Sequence, residues 1–142
     1  MNKLFLIVVL VLPLMVIAQS YPEKPDKAHY YVDEALIINA DDAEAINAMA
    51  SALLQEEKVP LYVVTIPSLA KYDSYTIEDF ATRLFNHWGI GWKDRNYGIL
   101  LLVSLADRKA RIELGADWQQ RYDYDSQQIM DQLIIPSFKR KD

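Results

Sequence analysis

The 142-residue sequence contains no cysteine. That excludes disulfides, thiolate nucleophiles and lipid attachment through a cysteine. Histidine is nearly as scarce, with His29 and His87 the only two. His87 falls at a predicted helix end beside Trp88, where interaction with the C-terminal dipole is its simplest role. The chain has four glycines, too few and too scattered for a phosphate-cradling loop. Ser68 follows an apolar strand but lacks the Gly-x-Ser-x-Gly elbow of a serine hydrolase. Basic charge is in deficit too. The formal net charge of −5 disfavours nucleic acid and anionic membrane surfaces and favours divalent cations.

Long apolar runs are confined to the start. Lys3 precedes Leu4–Ile17, and Val16-Ile17-Ala18 makes a small-residue cleavage pattern. The run is shorter than the ~20 apolar residues of a comfortable transmembrane helix. Residues 1–18 therefore read as a signal peptide cleaved after Ala18, giving an exported monomer in a periplasmic or extracellular space. A retained signal would leave it membrane-associated. Export without disulfides suits a bacterial periplasm. Residues 19–32 read as an extended tether rich in proline, lysine and tyrosine, and 33–142 as the domain, with "FKRKD" suggesting that the protein continues.

Within the domain the hydrophobic period alternates between 3.6 and 2. Asn39 and Asp42 form an acidic capping pair, and Ile46, Met49, Ala50, Leu53 and Leu54 share one helical face. Pro60 stops that helix, and Leu61–Ile66 reads as a strand closed by Pro67. Thr76 caps a second helix with Asp79 at its third position. Ile77, Phe80, Ala81, Leu84, Phe85 and Trp88 keep its period, and Gly89 sits where a left-handed C-terminal residue belongs. "YGILLLV" is a strand buried on both faces, "SLADRKA" a turn, and "RIEL" a half-exposed strand. A third helix is expected over Ser126–Ile135, with Ile129, Met130, Leu133 and Ile134 inward, ending before Pro136. Strand–helix–strand implies a parallel pair, and the tight turn adds an antiparallel neighbour. The predicted fold class is α/β, a three-layer α/β/α sandwich with a small mixed central sheet.

This topology brings the loop before "YGILLLV" and the segment after "RIEL" to one edge. Asp94, Asn96, Asp117, Asp123 and Asp125 can converge there, with glycines admitting close backbone approach. Such hard oxygen ligands suit calcium or magnesium rather than zinc; solvated loop carboxylates would look the same. "DYDSQQIMDQL" has aspartates at spacing two but places Gln128 where an EF-loop needs glycine. The same Asp-x-Asp follows no apolar strand, which argues against an aspartyl-phosphate nucleophile. Trp92 and Trp118 lie near this edge, together with Tyr122 and Tyr124.

"YYVDEALIINADD", "YTIEDFATRLFNHWGIGWKDRNYGILLLVSLADRKARIELG" and "IIPSFK" resemble the TPM domain family, over roughly residues 28 to 139. That family includes a thylakoid lumen protein of photosystem II repair and an auxiliary subunit of a nematode acetylcholine receptor. The resemblance implies an exported or membrane-facing α/β/α sandwich. Some members bind calcium, and the plant member has been proposed to be an acid phosphatase. The family's Val-x-Asp falls on Val32 and Asp33. Its helix-to-strand signature falls on Trp88, Gly89, Gly91, Lys93, Asn96 and Gly98. Its Asp-Arg turn falls on Asp107 and Arg108, and its Glu-x-Gly on Glu113 and Gly115. The match breaks at "GADWQ", where Asp117 replaces a glycine and Gln119 an acidic residue. The expected calcium or magnesium ligands are thus Asp33, Asp94, Asn96, Glu113, Asp117 and Asp123, in one or two sites. The expected function is a calcium-binding, non-catalytic interaction module, with a protein partner docking near Trp92 and Trp118. A metal-dependent acid phosphatase is the competing reading, with Lys93, Arg95 and Arg121 as candidate cations at the phosphate.

Overall fold

A computed structural model describes residues 20–134. The expected signal peptide and the chain beyond Ile134 lie outside the described residues. Among those described, no helix is long and apolar enough to cross a membrane.

Four strands form one sheet in the order β1 (Tyr31–Asp33), β2 (Leu61–Ile66), β3 (Ile99–Ser104), β4 (Lys109–Leu114). The first three run parallel, and β4 returns antiparallel against β3. Helix α1 (Ala40–Glu57) links β1 to β2, α2 (Ile77–Trp88) links β2 to β3, and α3 (Asp123–Ile129) follows β4. The expected α/β sandwich with a small mixed sheet is present.

Local chemistry sets the boundaries. The Asn39 side chain accepts from Asp42 N, and Asp41 and Asp42 place negative charge at the positive end of α1. Lys58, in a left-handed conformation, closes that helix ahead of Pro60. Thr76 accepts from Asp79 N to open α2, and Gly89 closes it at φ 60.

The core lies between α2 and one face of the sheet. Phe80, Ala81, Leu84 and Phe85 meet Val64, Ile66, Leu100 and Leu102, all buried. The aromatic rings order this packing: Tyr72 stacks on Phe80 at 5.0 Å, and Tyr62 meets Trp88 edge-on at 5.7 Å.

Four expectations need correction. The segment taken as a tether is packed onto α2. Tyr21 stacks on His87 at 4.3 Å, Trp88 Nε1 donates to Pro22 O, and Lys24 Nζ donates to Trp88 O. Its last residues form a strand, β1, whose three residues are too few to show a period. Met49 points outward at 62% exposure, because the buried stripe of α1 narrows to Ala50. The third helix begins at Asp123, three residues early, and widens to a π-turn over Met130–Ile134. That change of pitch buries Met130 and leaves Ile129 44% exposed. The side chains of Leu133 and Ile134, expected inward, lie outside the described residues.

Phe80→Ala should lower the unfolding free energy by about 3–5 kcal/mol, because a large fully buried ring leaves a cavity. Met49→Ala should stay within about 0.5 kcal/mol. Urea denaturation of both variants checks the contrast, and equal losses would contradict the assigned faces.

Candidate functional site

Antiparallel return of β4 puts its last residues beside the first of β3, and Gly115 N donates to Gly98 O at 2.9 Å. Just beyond, two residues cap each other. Asn96 N donates to the Asp117 carboxylate at 2.5 Å, and Asp117 N donates to Asn96 O at 3.1 Å. Asn96 is wedged between two glycines. A Cβ on Gly91 would fall 2.4 Å from Asn96 Oδ1, and one on Gly115 would fall 2.2 Å from Asn96 O. Only hydrogen fits at either place. Asn96 Oδ1 is buried there with no hydrogen-bond donor, which costs about 1–3 kcal/mol if nothing satisfies it.

Tryptophans frame this loop. Trp92 Nε1 donates to Lys58 O, holding the loop against the end of α1, yet the ring remains 49% exposed. Trp118 Nε1 donates to Tyr97 O, and its ring meets Tyr97 and Tyr122 edge-on.

A second polar cluster occupies the opposite edge, at the carboxyl ends of the parallel strands, where open α/β sheets commonly bind ligands. Asp33 ends β1. Its carboxylate accepts from Ile37 N, Ile38 N and Thr65 Oγ1. Burial pushes this carboxyl upward, but the Thr65 hydroxyl and the Ile38, Ile37 and Leu36 amides outweigh it and hold the pKa below the usual value. Next to it, Glu34 Oε2 accepts from Tyr72 OH at 2.5 Å and from Lys71 Nζ at 2.7 Å. Burial and the Glu34 hydrogen bond raise the Tyr72 phenol to about 12. Asp107 Oδ2 accepts from Ser104 Oγ and from Leu69 N. Those two bonds hold its carboxyl low, against a smaller effect of burial.

The expected ligand set is therefore divided. Asn96 and Asp117 are together, and Asp94 stands exposed on the same loop. Asp33 is at the other edge: it aligns with Thr65, which aligns with Val103, four residues along β3 from Ile99. That is ~13 Å of strand at ~3.3 Å per residue. Glu113 is turned away, accepting from Thr82 Oγ1 on α2 and from Arg111 Nε. The side chains of Asp123 and Arg121 lie outside the described residues. Among the described residues, no three acidic or histidine side chains group closely enough to hold a metal ion by themselves. A cation at the Asn96–Asp117 loop would draw on Asp117, the orphaned Asn96 Oδ1 and water. That donor set is all hard oxygen, the type that calcium and magnesium take, with water supplying most of the shell.

Sequence reasoning missed the Glu34–Lys71–Tyr72 group and the tie from Asp107 to Leu69. One signal was available: Thr65 and Ser104 are polar residues at the ends of apolar strands, and both are fully buried.

The family model for the TPM domain matches residues 31–142. Among solved structures, the chain is similar to the N-terminal domain of a protein from P. gingivalis, determined by solution NMR. The two are 30% identical, with TM-score 0.68, over 79% of this chain and 70% of that one. It also resembles the N-terminal domain of a Corynebacterium glutamicum protein at 15% identity and TM-score 0.64, covering 84% of this chain and 75% of that one; that likeness concerns the fold alone. No match was found among curated protein sequences.

The lowered pKa values of Asp33 and Asp107 set the sign of the acid response. A carboxyl that titrates lower in the folded chain stabilises it above the ordinary value of 3.8 and stops doing so as pH falls through the folded value. Stability should be level from neutral pH to about 5 and fall below about 4. Asp107→Asn should cost about 1 kcal/mol at pH 7 and progressively less as pH falls below 3.8 and through the folded value. Denaturation across that pH range checks this, and a loss independent of pH would count against a charged acceptor.

Proposed function

The chain belongs to the TPM domain family, and on that premise we propose that it is an exported, calcium-responsive interaction module without catalytic turnover. One observation carries the reading: Asn96 Oδ1 is buried without a donor, beside an aspartate whose backbone and carboxylate both bind the same residue. A hard cation satisfies that oxygen and neutralises Asp117 in one step, which removes the cost of the orphan and tightens the loop. Magnesium keeps several of its waters and binds through one or two carboxylates, so it is the competing ion at a loop with few protein ligands.

Chemistry at this loop is not favoured. The phosphatase reading needs an activated water and cationic help at the phosphate oxygens. Lys93 and Arg95 are on the loop and exposed. The two histidines sit elsewhere: His29 accompanies Asp26 on the surface, and His87 is stacked under Tyr21. Docking is better supplied, because Trp92 and Tyr124 are exposed in the segments at or just beyond this edge. Exposed aromatics of this kind serve as interface anchors.

Calcium should bind with a dissociation constant on the order of 10⁻⁴–10⁻³ M, as in extracellular modules. A thermal melt in millimolar calcium should then exceed that in chelator, by mass action on the folded state. Asp117→Asn should abolish the increment, whereas Asp33→Asn should keep it, although less stable overall. Phosphate release from a generic monoester should stay at the level of the Asp117→Asn variant with calcium, magnesium or chelator. Melts indifferent to calcium would overturn the metal reading. Metal-dependent turnover would overturn the non-catalytic one.

A further inference from the structure

A groove of about 470 Å³ runs beside β4, floored by Ile77, Ala110, Ile112 and Met130. That lies within the ~300–1,000 Å³ usual for ligand clefts. Its wall is the outer edge of the sheet, because β4 is the last strand in the order β1-β2-β3-β4.

The register says which backbone groups face it. Gly115 N bonds Gly98 O, so the pairs exchanging hydrogen bonds with β3 are those of Glu113, Arg111 and Lys109 with Leu100, Leu102 and Ser104. The N–H and C=O groups of Ala110, Ile112 and Leu114 therefore point away from β3. Among the described residues no backbone bond outside the sheet reaches them. An edge of this kind is a template for a further strand.

Charge selects the occupant. Arg108, Lys109 and Arg111 line the groove with Glu78 as the only acidic lining residue, in a chain whose net charge is −5. Arg111 is already engaged by Glu113, while Arg108 and Lys109 are exposed. The chain's own last residues, "FKRKD", carry the same sign as the groove. A second copy joined edge to edge would bring its own Arg108, Lys109 and Arg111 against this edge, offset only by its Glu113. An acidic strand meets neither objection.

We infer that β4 accepts an extended, acidic segment of a protein partner as a fifth strand, with alternate side chains entering the groove and the carboxylates meeting Arg108 and Lys109. This surface is separate from the calcium loop and does not depend on it.

The test uses the full chain and a fluorescein-labelled hexapeptide of alternating valine and glutamate, beside its valine–lysine counterpart. Anisotropy titrations should show the acidic peptide binding at least about tenfold tighter than the basic one, with the difference shrinking in salt. Arg108→Glu combined with Lys109→Glu should invert that order, which a merely unfolded variant would not do. Amide exchange on the unaltered chain supplies a measurement independent of any variant. The acidic peptide should slow exchange at Ala110, Ile112 and Leu114, whereas Arg111 and Glu113, already bonded to β3, should be slow without it. Equal binding of the two peptides, no binding, or protection elsewhere would overturn the proposal. So would protection at these amides that grows with chain concentration alone, since the edge would then be taken by a second copy.

Discussion

One carboxylate sits at the centre of the bonds that hold the turn between Ser104 and Lys109, and the placement of both polar edges follows from that turn. Asp107 Oδ2 accepts from Ser104 Oγ at 2.6 Å, within the turn, and from Leu69 N at 2.8 Å, across to the segment after β2. Arg108 takes a left-handed conformation at φ 51, and its N–H donates to Leu105 O. Two further bonds, Leu105 N to Ile66 O and Ala106 N to Pro67 O, tie the same turn to the end of β2. A strand leaving this turn can only run back along β3. Without the reversal, β4 would not end at the start of β3, and Asn96 would not meet Asp117.

The reversal also sorts polar groups by function. At the carboxyl edge three carboxylates are engaged: Asp33 by two amides and a hydroxyl, Glu34 Oε2 by Tyr72 and Lys71, Asp107 Oδ2 by Ser104 and Leu69. Such a network fixes loops by satisfying buried groups. At the other edge the balance differs. The Asn96 backbone is fully bonded, but its side-chain oxygen is not. A cost of about 1–3 kcal/mol for that oxygen is comparable with what a weakly held cation would return, so under the proposed function loop order and cation binding would be coupled. The carboxyl edge, where open α/β sheets commonly bind ligands, is thus the more densely hydrogen-bonded of the two.

Much of this arrangement was legible in the amino-acid order. The caps Asn39–Asp42 and Thr76–Asp79, the 3.6 period of α2 and the apolar run of β3 each follow from short-range physics, and each is where the pattern put it. The meeting of Asn96 with Asp117 also followed, because it needs only strand order and direction. Placement of Asp33 did not. Its strand is three residues long, and its distance from the loop depends on β1 pairing parallel with β2, which nothing local encodes. Glu113 failed for another reason: its neighbour Gly115 is at the edge, but two residues along a strand are ~7 Å, and Thr82 on α2 takes the carboxylate. The docking of Tyr21 on Phe80 and His87, and of Pro22 on Trp88, was hidden because proline-rich composition reads alike for a tether and for a strap.

The side chains of β4 show how one strand serves three demands. Lys109, Arg111 and Glu113 alternate with Ala110, Ile112 and Leu114, so one face is charged and the other apolar. The apolar set completes the sheet face opposite the α2 core. The charged set faces α2, where Glu113 bridges Thr82 and Arg111. An unpaired edge with an apolar flank invites indiscriminate strand addition, and edge-strand lysine is a common safeguard against it. Here the safeguard leans one way: Arg108 and Lys109 at the start of β4 favour an acidic strand over a second copy, which brings the same cations with only Glu113 to offset them. A bias against self-association and a preference for an acidic strand would therefore rest on the same residues.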